Sequence, residues 1–322
     1  MKRTILLMIL ILALALSGCC YAPGYDGDLV ADKWYGSVPT IAVGGYEPAP
    51  ENTTGETTWE GTEPLETIFV PPEMPVEEND VFVNVREYIP DIHVDLRYAT
   101  LNNFVGQVIY ETDDVYLRYG TVAKLMEVQQ ALRLEGLSLK IWDAFRPASA
   151  QYKLWTAKPD PEFVANPQTG YSNHTRGNAV DLTLVDKNGQ ELEMPSAFDD
   201  FSAQADRDYS DCTATAAENA TKLENLMEQC GFQGYESEWW HFNDTDAYPV
   251  DNHFDPSAIS TWYADCNQYI NIRSEPDVKS TSIGKIEKGE QMTLLGWSGK
   301  MAYVRFEGIV GFVNGDYINR VE

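Results

Sequence analysis

The sequence predicts an α+β domain followed by a small all-β barrel, and three observations carry that reading. Helical and strand periodicities mix through residues 80–256 without regular strand–helix–strand alternation. From residue 266 to the end, short β-rich runs alternate with turns, and no helix of useful length fits. Residues 20–79, in contrast, are rich in Pro, Thr, Gly and Glu, with Lys33 as the only base. Such a segment cannot bury enough apolar surface to offset its chain entropy, so it reads as an extended, disordered tether.

The elements follow from their start and stop signals. Residues 121–136 read as a helix: Thr121 can cap it, Val122, Leu125, Met126, Gln129 and Leu132 share a face, and Gly136 ends it. Residues 137–141 alternate and read as a strand, which runs into Trp142-Asp143-Ala144-Phe145-Arg146-Pro147. Ser149 can cap a short helix through Lys158. A long loop leads to Ser172, and residues 179–185 read as a second strand. Thr215 and Glu218 form a capping-box pattern. Leu223, Leu226, Met227 and Cys230 follow at helical spacing, with Gly231 as the stop. Asp277, Gly289, Gly299, Gly308 and Gly315 mark the turns of the β-rich end.

Composition narrows the partners. The formal net charge is -27, and it reaches -29 without Lys2 and Arg3 (21 basic residues against 50 acidic). Phosphate binding needs clustered Lys and Arg, so a surface this acidic argues against nucleic acid as a partner and against electrostatic docking on anionic lipid. Residues from Cys266 onward are balanced, seven basic against seven acidic, so the acidity belongs to the tether and the middle domain. Lys2 and Arg3 precede an apolar run at 5–16 of signal-peptide length, too short to span a bilayer comfortably. It ends in Leu16-Ser17-Gly18-Cys19, which resembles a bacterial lipobox and implies removal of 1–18, a lipid on Cys19 and an extracytoplasmic protein anchored to the cell membrane. None of the remaining cysteines sits in a CxxC pair, so a thiolate metal site is not expected. Cys212 and Cys230 could bridge, or Cys230 could stay a buried thiol on a helix face.

Four histidines occur, and two lie in patterned surroundings: Ser172-Asn173-His174-Thr175-Arg176-Gly177-Asn178-Ala179-Val180-Asp181 and Glu238-Trp239-Trp240-His241. In the strand at 179–185, Val180, Leu182 and Leu184 point one way, while Ala179, Asp181 and Thr183 point the other. A mid-strand Asp181 in an apolar run needs a cation or several hydrogen bonds, unless the strand lies at the surface with a capped Asp. His174, Asp181 and His241 together would supply the three donors of a catalytic zinc site, leaving Glu238 as a base. Residues three apart on a flat strand point to opposite faces, so Glu238 and His241 can converge only on a bent strand end or a helical turn. His93 and His253 match no pattern.

These residues resemble a known family. Ser172 to Asp181 fits S-x-H-x-x-G-x-A-x-D at every specified position, and Glu238 to His241 fits the companion E-x-x-H element. The run from Trp142 to Pro147 and the Arg97-Tyr98-Ala99-Thr100 segment with Asn103-Phe104 look like further family elements. The family is the zinc D-alanyl-D-alanine dipeptidases and related D,D-carboxypeptidases, and the resemblance spans about 82–243. It implies an α+β zinc peptidase domain at 80–256, with one zinc per chain on His174, Asp181 and His241. It further implies Glu238 as catalytic base and Arg146 as the cation facing the oxyanion. Ser172 then either contacts substrate or shapes the His174 loop, and Asp199 is a candidate for binding the free amine of a dipeptide.

The C-terminal runs Asn271-Ile272-Arg273-Ser274-Glu275-Pro276 and Gly311-Phe312-Val313 resemble bacterial SH3 domains. The resemblance implies an SH3-like barrel at 266–322, a separable module that adds affinity for the cell wall but no chemistry. The expected activity is hydrolysis of D-alanyl-D-alanine in peptidoglycan metabolism. Two alternatives stand beside it. A D,D-carboxypeptidase trimming peptidoglycan stem peptides is favoured by the export signal and the wall-binding module. A non-catalytic wall-binding lipoprotein is disfavoured because every expected ligand and the base are present.

Overall fold

The computed structural model describes residues 75–112 and 114–322. The leader, Cys19 and most of the 20–79 tether lie outside the described residues. In chain order, the first part contains β1 (Phe82–Asn84), α1 (Val85–Tyr88), β2 (His93–Val94), β3 (Tyr116–Arg118), α2 (Tyr119–Arg133), β4 (Leu137–Asp143) and α3 (Ala148–Ala157). It continues with α4 (Asn173–Arg176), β5 (Ala179–Asp186), α5 (Ala214–Gln229), β6 (Phe232–Tyr235) and β7 (Glu238–Asp244). Five of these strands form one sheet in the order β2-β4-β5-β7-β6, with β2 parallel to β4 and the other pairings antiparallel. This is the mixed α/β content expected.

The core forms where the sheet meets α2 and α5. Val180, Leu182 and Leu184 of β5 join Leu125, Val128 and Leu132 of α2 and Leu223 and Met227 of α5 in one buried cluster. The opposite side of β5 is buried as well: Ala179, Asp181 and Thr183 have 3% exposure or less. A carboxylate at that depth must be paired, so the surface-strand alternative is ruled out.

Three helix starts differ from expectation. Helix α2 begins at Tyr119, and the Thr121 hydroxyl donates to Asp244 Oδ2 at 2.7 Å instead of capping the helix. Helix α3 begins at Ala148 after Pro147, so Ser149 lies inside it. Helix α5 is capped by Thr213, whose side chain accepts from the Ala216 N–H; the Thr215–Glu218 box does not form. Each hydroxyl bonds whatever donor or acceptor the fold brings near, and a spacing pattern cannot rank those partners. The Cys212 thiol is free, which rules out a bridge to Cys230. His93 lies beside Gly189, and the His253 ring packs against Phe312.

The second part holds β8 (Ser260–Ala264), β9 (Tyr269–Arg273), β10 (Ser282–Glu287), β11 (Gln291–Ser298), β12 (Met301–Phe306), β13 (Ile309–Asn314) and β14 (Ile318–Arg320). They form a seven-stranded antiparallel sheet in the order β10-β9-β13-β12-β11-β8-β14. Ile272, Ile286, Leu294, Val304, Val313 and Ile318 fill its own core. Strand β8 precedes residue 266, so the β-rich region starts earlier than the sequence suggested.

This region is packed onto the first part. A register shift in β11 falls at Leu295, which is buried in a separate cluster with Phe82, Tyr116, Phe145 and Phe254. Phe82 stacks on Phe254 at 4.1 Å and meets Phe145 edge-on at 4.7 Å. Arg305 of β12 donates to the Phe82 carbonyl, and Tyr303 Oη donates to Asp251 Oδ2 at 2.9 Å.

Candidate metal centre

The metal centre is assembled from two neighbouring strands and one short helical turn. Ser172 starts that turn by accepting the His174 N–H at 3.2 Å, which is N-cap geometry. Gly177 ends it with φ +78°, and a Cβ there would lie 2.3 Å from Phe82 Cε1. Only glycine fits such a position without displacing the ring. The turn brings His174 back over β5, and β5 pairs with β7 so that Asp181 stands directly opposite His241.

The three side chains converge. His174 Nε2 lies 3.4 Å from Asp181 Oδ1 and 3.2 Å from His241 Nδ1, and His241 Nδ1 lies 2.9 Å from Asp181 Oδ1. The far nitrogen of each ring is held by an acceptor. His174 Nδ1 donates to the Ala144 carbonyl at 2.8 Å, and His241 Nε2 donates to Asn243 Oδ1 at 3.0 Å. Asn173 Nδ2 also donates to that oxygen at 2.8 Å, which fixes the Asn243 amide. With both ring protons committed, two bare nitrogens and a carboxylate oxygen face one another. Three acceptors cannot satisfy each other; a cation can. Second partners of this kind set the tautomer of metal-binding histidines. Burial works against ionisation of Asp181; His174 and His241 outweigh it and hold the carboxyl well below the usual range when they turn protons towards it, and a bound cation takes the place of those protons. The donor set, two imidazoles and one carboxylate, has the number and type of ligands of a catalytic zinc site.

Glu238 reaches the same place by a strand irregularity. The β6–β7 ladder pairs Gly234 with Phe242 and then jumps to Tyr235 with Glu238, so three residues of β7 bulge out between those rungs. The bulge is the bent strand end that spacing three required. Glu238 Oε2 lies 3.9 Å from His241 Nδ1. Burial pushes the Glu238 carboxyl up to about 8, opposed by His241 and aided by Asp181 and Asp199.

Arg146 is held by partners that the sequence did not flag. A register shift at Trp142 in β4 sets Asp143 opposite Asp181. Asp143 Oδ2 then accepts from Arg146 Nε at 2.9 Å and from Nη2, while Tyr110 Oη donates to Asp143 Oδ1 at 2.7 Å. Arg146 Nη1 donates to Gln151 Oε1 at 2.9 Å, and Nη2 lies 4.0 Å from Asp181 Oδ2. These bonds use three of its five N–H groups and leave two. Burial disfavours the Arg146 charge, but Asp143, Tyr98 and Asp181 hold it firmly protonated.

Asp199 sits at φ +59°, a conformation Asp tolerates better than most residues, and accepts from Tyr98 Oη at 2.8 Å. Its Oδ2 is buried without a partner. Burial pushes its carboxyl up to about 7, with the Tyr98 hydroxyl pulling down and Asp181 pushing up. His174, Asp181, His241, Glu238, Arg146 and Asp199 line one cavity of about 260 Å³, which Ser172, Tyr98 and Phe163 help enclose. Asp143, Gln151, Asn243 and Tyr98 were not assigned roles from sequence. For Asp143 a signal existed, since it stands three residues before Arg146 at a strand end.

The chain is similar to known proteins. The family model described as D-ala-D-ala dipeptidase matches residues 78–259. The D-alanyl-D-alanine dipeptidase of Escherichia coli (strain K12) is 38% identical over 160 residues, which cover 50% of this chain and 82% of that protein. The D-alanyl-D-alanine dipeptidase of Enterococcus faecium is 28% identical over 194 residues, covering 54% of this chain and 96% of that one. A solved vancomycin resistance D,D-pentapeptidase in complex with Zn(II) is 18% identical, covers 42% of this chain and 76% of its own, and aligns with a TM-score of 0.27. The match to the family model spans more than half of the chain, and the site residues fall inside it: the chain belongs to the D-Ala-D-Ala dipeptidase family.

Proposed function

We propose that this chain is a zinc peptidase that hydrolyses free D-alanyl-D-alanine as part of peptidoglycan metabolism at the cell envelope. The observation that carries the reading is a single small cavity. It holds the three-donor cluster, an uncommitted acid at Glu238, a buried cation at Arg146 and a second buried carboxyl at Asp199.

His174, Asp181 and His241 would hold one zinc. When bound, zinc lowers the pKa of a coordinated water to about 7 and polarises a carbonyl oxygen. A cation beside Glu238 favours its carboxylate over the neutral form that burial alone would impose. Glu238 can then take a proton on an Oε atom and return it to the leaving amine. Arg146 offers its two spare N–H groups to the oxygen on which negative charge develops, and Asp143 and Gln151 keep the guanidinium from swinging away. Ser172 acts through the His174 turn that it caps.

Asp199 favours a dipeptide over a stem peptide. A free dipeptide carries an ammonium group that can pair with this carboxylate; an N-acylated peptide would leave a buried acid facing an amide. The names of the relatives point the same way. The lipobox ending in Cys19 supports a membrane-anchored, extracytoplasmic enzyme, and the C-terminal sheet with its N-x-R-S-x-P opening supports an SH3-like module that holds wall peptides. The test is a substrate panel on the soluble form lacking residues 1–20. Hydrolysis of free D-alanyl-D-alanine should exceed that of the N-acetylated dipeptide. Preference for the N-acylated substrate would establish the carboxypeptidase reading instead, and activity on neither would end both.

A further inference from the structure

The bulge that brings Glu238 and His241 to one face is paired with β5 on one side, where His241 stands opposite Asp181, but the ladder to β6 on its other side is interrupted. On the β6 side, Trp239, Trp240 and His241 have no partner residue between the Gly234–Phe242 and Tyr235–Glu238 rungs. Buried carbonyls need a donor. Arg207 supplies it from the loop before α5: Nη2 donates to Trp239 O at 3.0 Å and to His241 O at 2.8 Å, and Nε donates to Tyr235 O at 2.9 Å. One guanidinium thus spans the end of β6 and both sides of the bulge. Its other side is fixed by Glu224 of α5, 3.2 Å from Nη1, and Glu224 in turn accepts from Tyr209 Oη at 2.9 Å. The guanidinium also lies over the Phe242 ring at 4.4 Å. Gly234 makes the approach possible, because a Cβ there would stand 2.4 Å from Arg207 Cζ.

We propose that Arg207 is a positioning residue for the metal centre, its guanidinium bridging the interrupted rungs between β6 and β7 and holding His241 and Glu238 on one face. It does not line the cavity and touches no substrate. A rigid planar fork can serve three carbonyls at once, whereas a lysine ammonium on a flexible stem cannot hold the same three in plane. The inference rests on the zinc-peptidase reading for its meaning but not for its test, which reads the geometry of the site.

The experiment compares wild type with Arg207→Met, Arg207→Lys and Arg207→Ala in the full soluble chain. Zinc affinity is measured by chelator competition, the visible spectrum of the Co(II)-loaded protein is recorded, and D-alanyl-D-alanine kinetics are run in parallel. Partners that orient metal ligands are worth about 10–100-fold in metal affinity or activity. Arg207→Met should lose about that much zinc affinity and should lower kcat more than it raises KM. Arg207→Lys should lie between Arg207→Met and wild type. In Arg207→Ala, guanidinium chloride at non-denaturing millimolar concentration should restore part of the wild-type Co(II) spectrum, and it should change nothing in wild type. Wild-type zinc affinity and Co(II) spectrum in Arg207→Met would overturn the proposal. If Arg207→Met does not fold, the same wild-type values in Arg207→Lys, with no response of Arg207→Ala to guanidinium, would overturn it equally. If wild type binds zinc but cleaves no D,D-dipeptide, the substrate reading fails while the spectra still decide the role of Arg207.

Discussion

At the scale of single residues, the candidate ligands and acid that the structure brings together were legible because their spacing is the message: His174, Asp181, Glu238 and His241 stand in two dense motifs. Their supports were less so: Asp143 and Asn243 stand within three residues of the groups they hold but in no pattern that names the bond, and Arg207 acquires its role only when distant segments meet. Arg146→Ala tests the chemistry apart from the metal. Removing a positioned oxyanion donor typically costs about 10²–10³ in kcat, so this variant should lose about that much while keeping its zinc content. A raised KM with unchanged kcat would mean that Arg146 only binds substrate. Asp199 makes a pH prediction. Its carboxyl moves from 3.8 to about 7 on folding, so the folded state holds that proton more tightly than the unfolded one. The contribution of Asp199 to stability is therefore fully present below pH 3.8 and is lost as pH rises towards 7, by an amount on the order of a few kcal/mol. Thermal scans of metal-free protein should show a fall in Tm across this window that is smaller in Asp199→Asn. Parallel curves for the two proteins would contradict the assignment.

At the scale of elements, helix and strand identities followed from periodicity, while helix starts shifted by a few residues. The reason is local competition for hydrogen bonds. Thr213 and Thr215 both precede the apolar face of α5, and only the fold decides which hydroxyl meets an N–H. Replacing an N-cap Thr costs typically about 1 kcal/mol, so Thr213→Ala should lower unfolding free energy by about that amount. Thr215→Ala should cost clearly less, since Thr215 lies inside the helix. Chemical denaturation of the two variants distinguishes them. Strand irregularities had only weak sequence signals: the shifts at Trp142, in the β6–β7 ladder and at Leu295 each re-aim a side chain, and the last two adjoin Gly234 and Gly296, but a glycine in a strand does not by itself say where the register slips. The caution about Glu238 and His241 shows the limit of that reasoning. Period-two geometry required a bend, but the sequence did not say that a buried guanidinium would hold it.

At the scale of the molecule, the acidic 20–79 segment, the mixed domain and the β-rich end were all visible in composition, but the contact between the last two was not. Phe82, Phe145, Phe254 and Leu295 are scattered over the chain and meet only in the fold. Phe82 also lies against Gly177, so one ring stands between the β-rich region and the turn that carries His174. Truncating a buried Leu costs about 2–5 kcal/mol. Leu295→Ala should therefore lower the Tm of a single shared calorimetric transition. Two separate transitions, with only one of them moved, would show that the β-rich region is energetically independent after all. The most direct test of the central claim, a metal peptidase with Glu238 as its base, is zinc content and D-alanyl-D-alanine turnover measured on the same preparations of wild type, His241→Ala and Glu238→Gln. Wild type and Glu238→Gln should each hold one zinc per chain, and His241→Ala well below that. Glu238→Gln should have lost at least about 10² in turnover, the low end for a positioned acid–base group. Loss of zinc in Glu238→Gln, or full zinc in His241→Ala, would contradict the account.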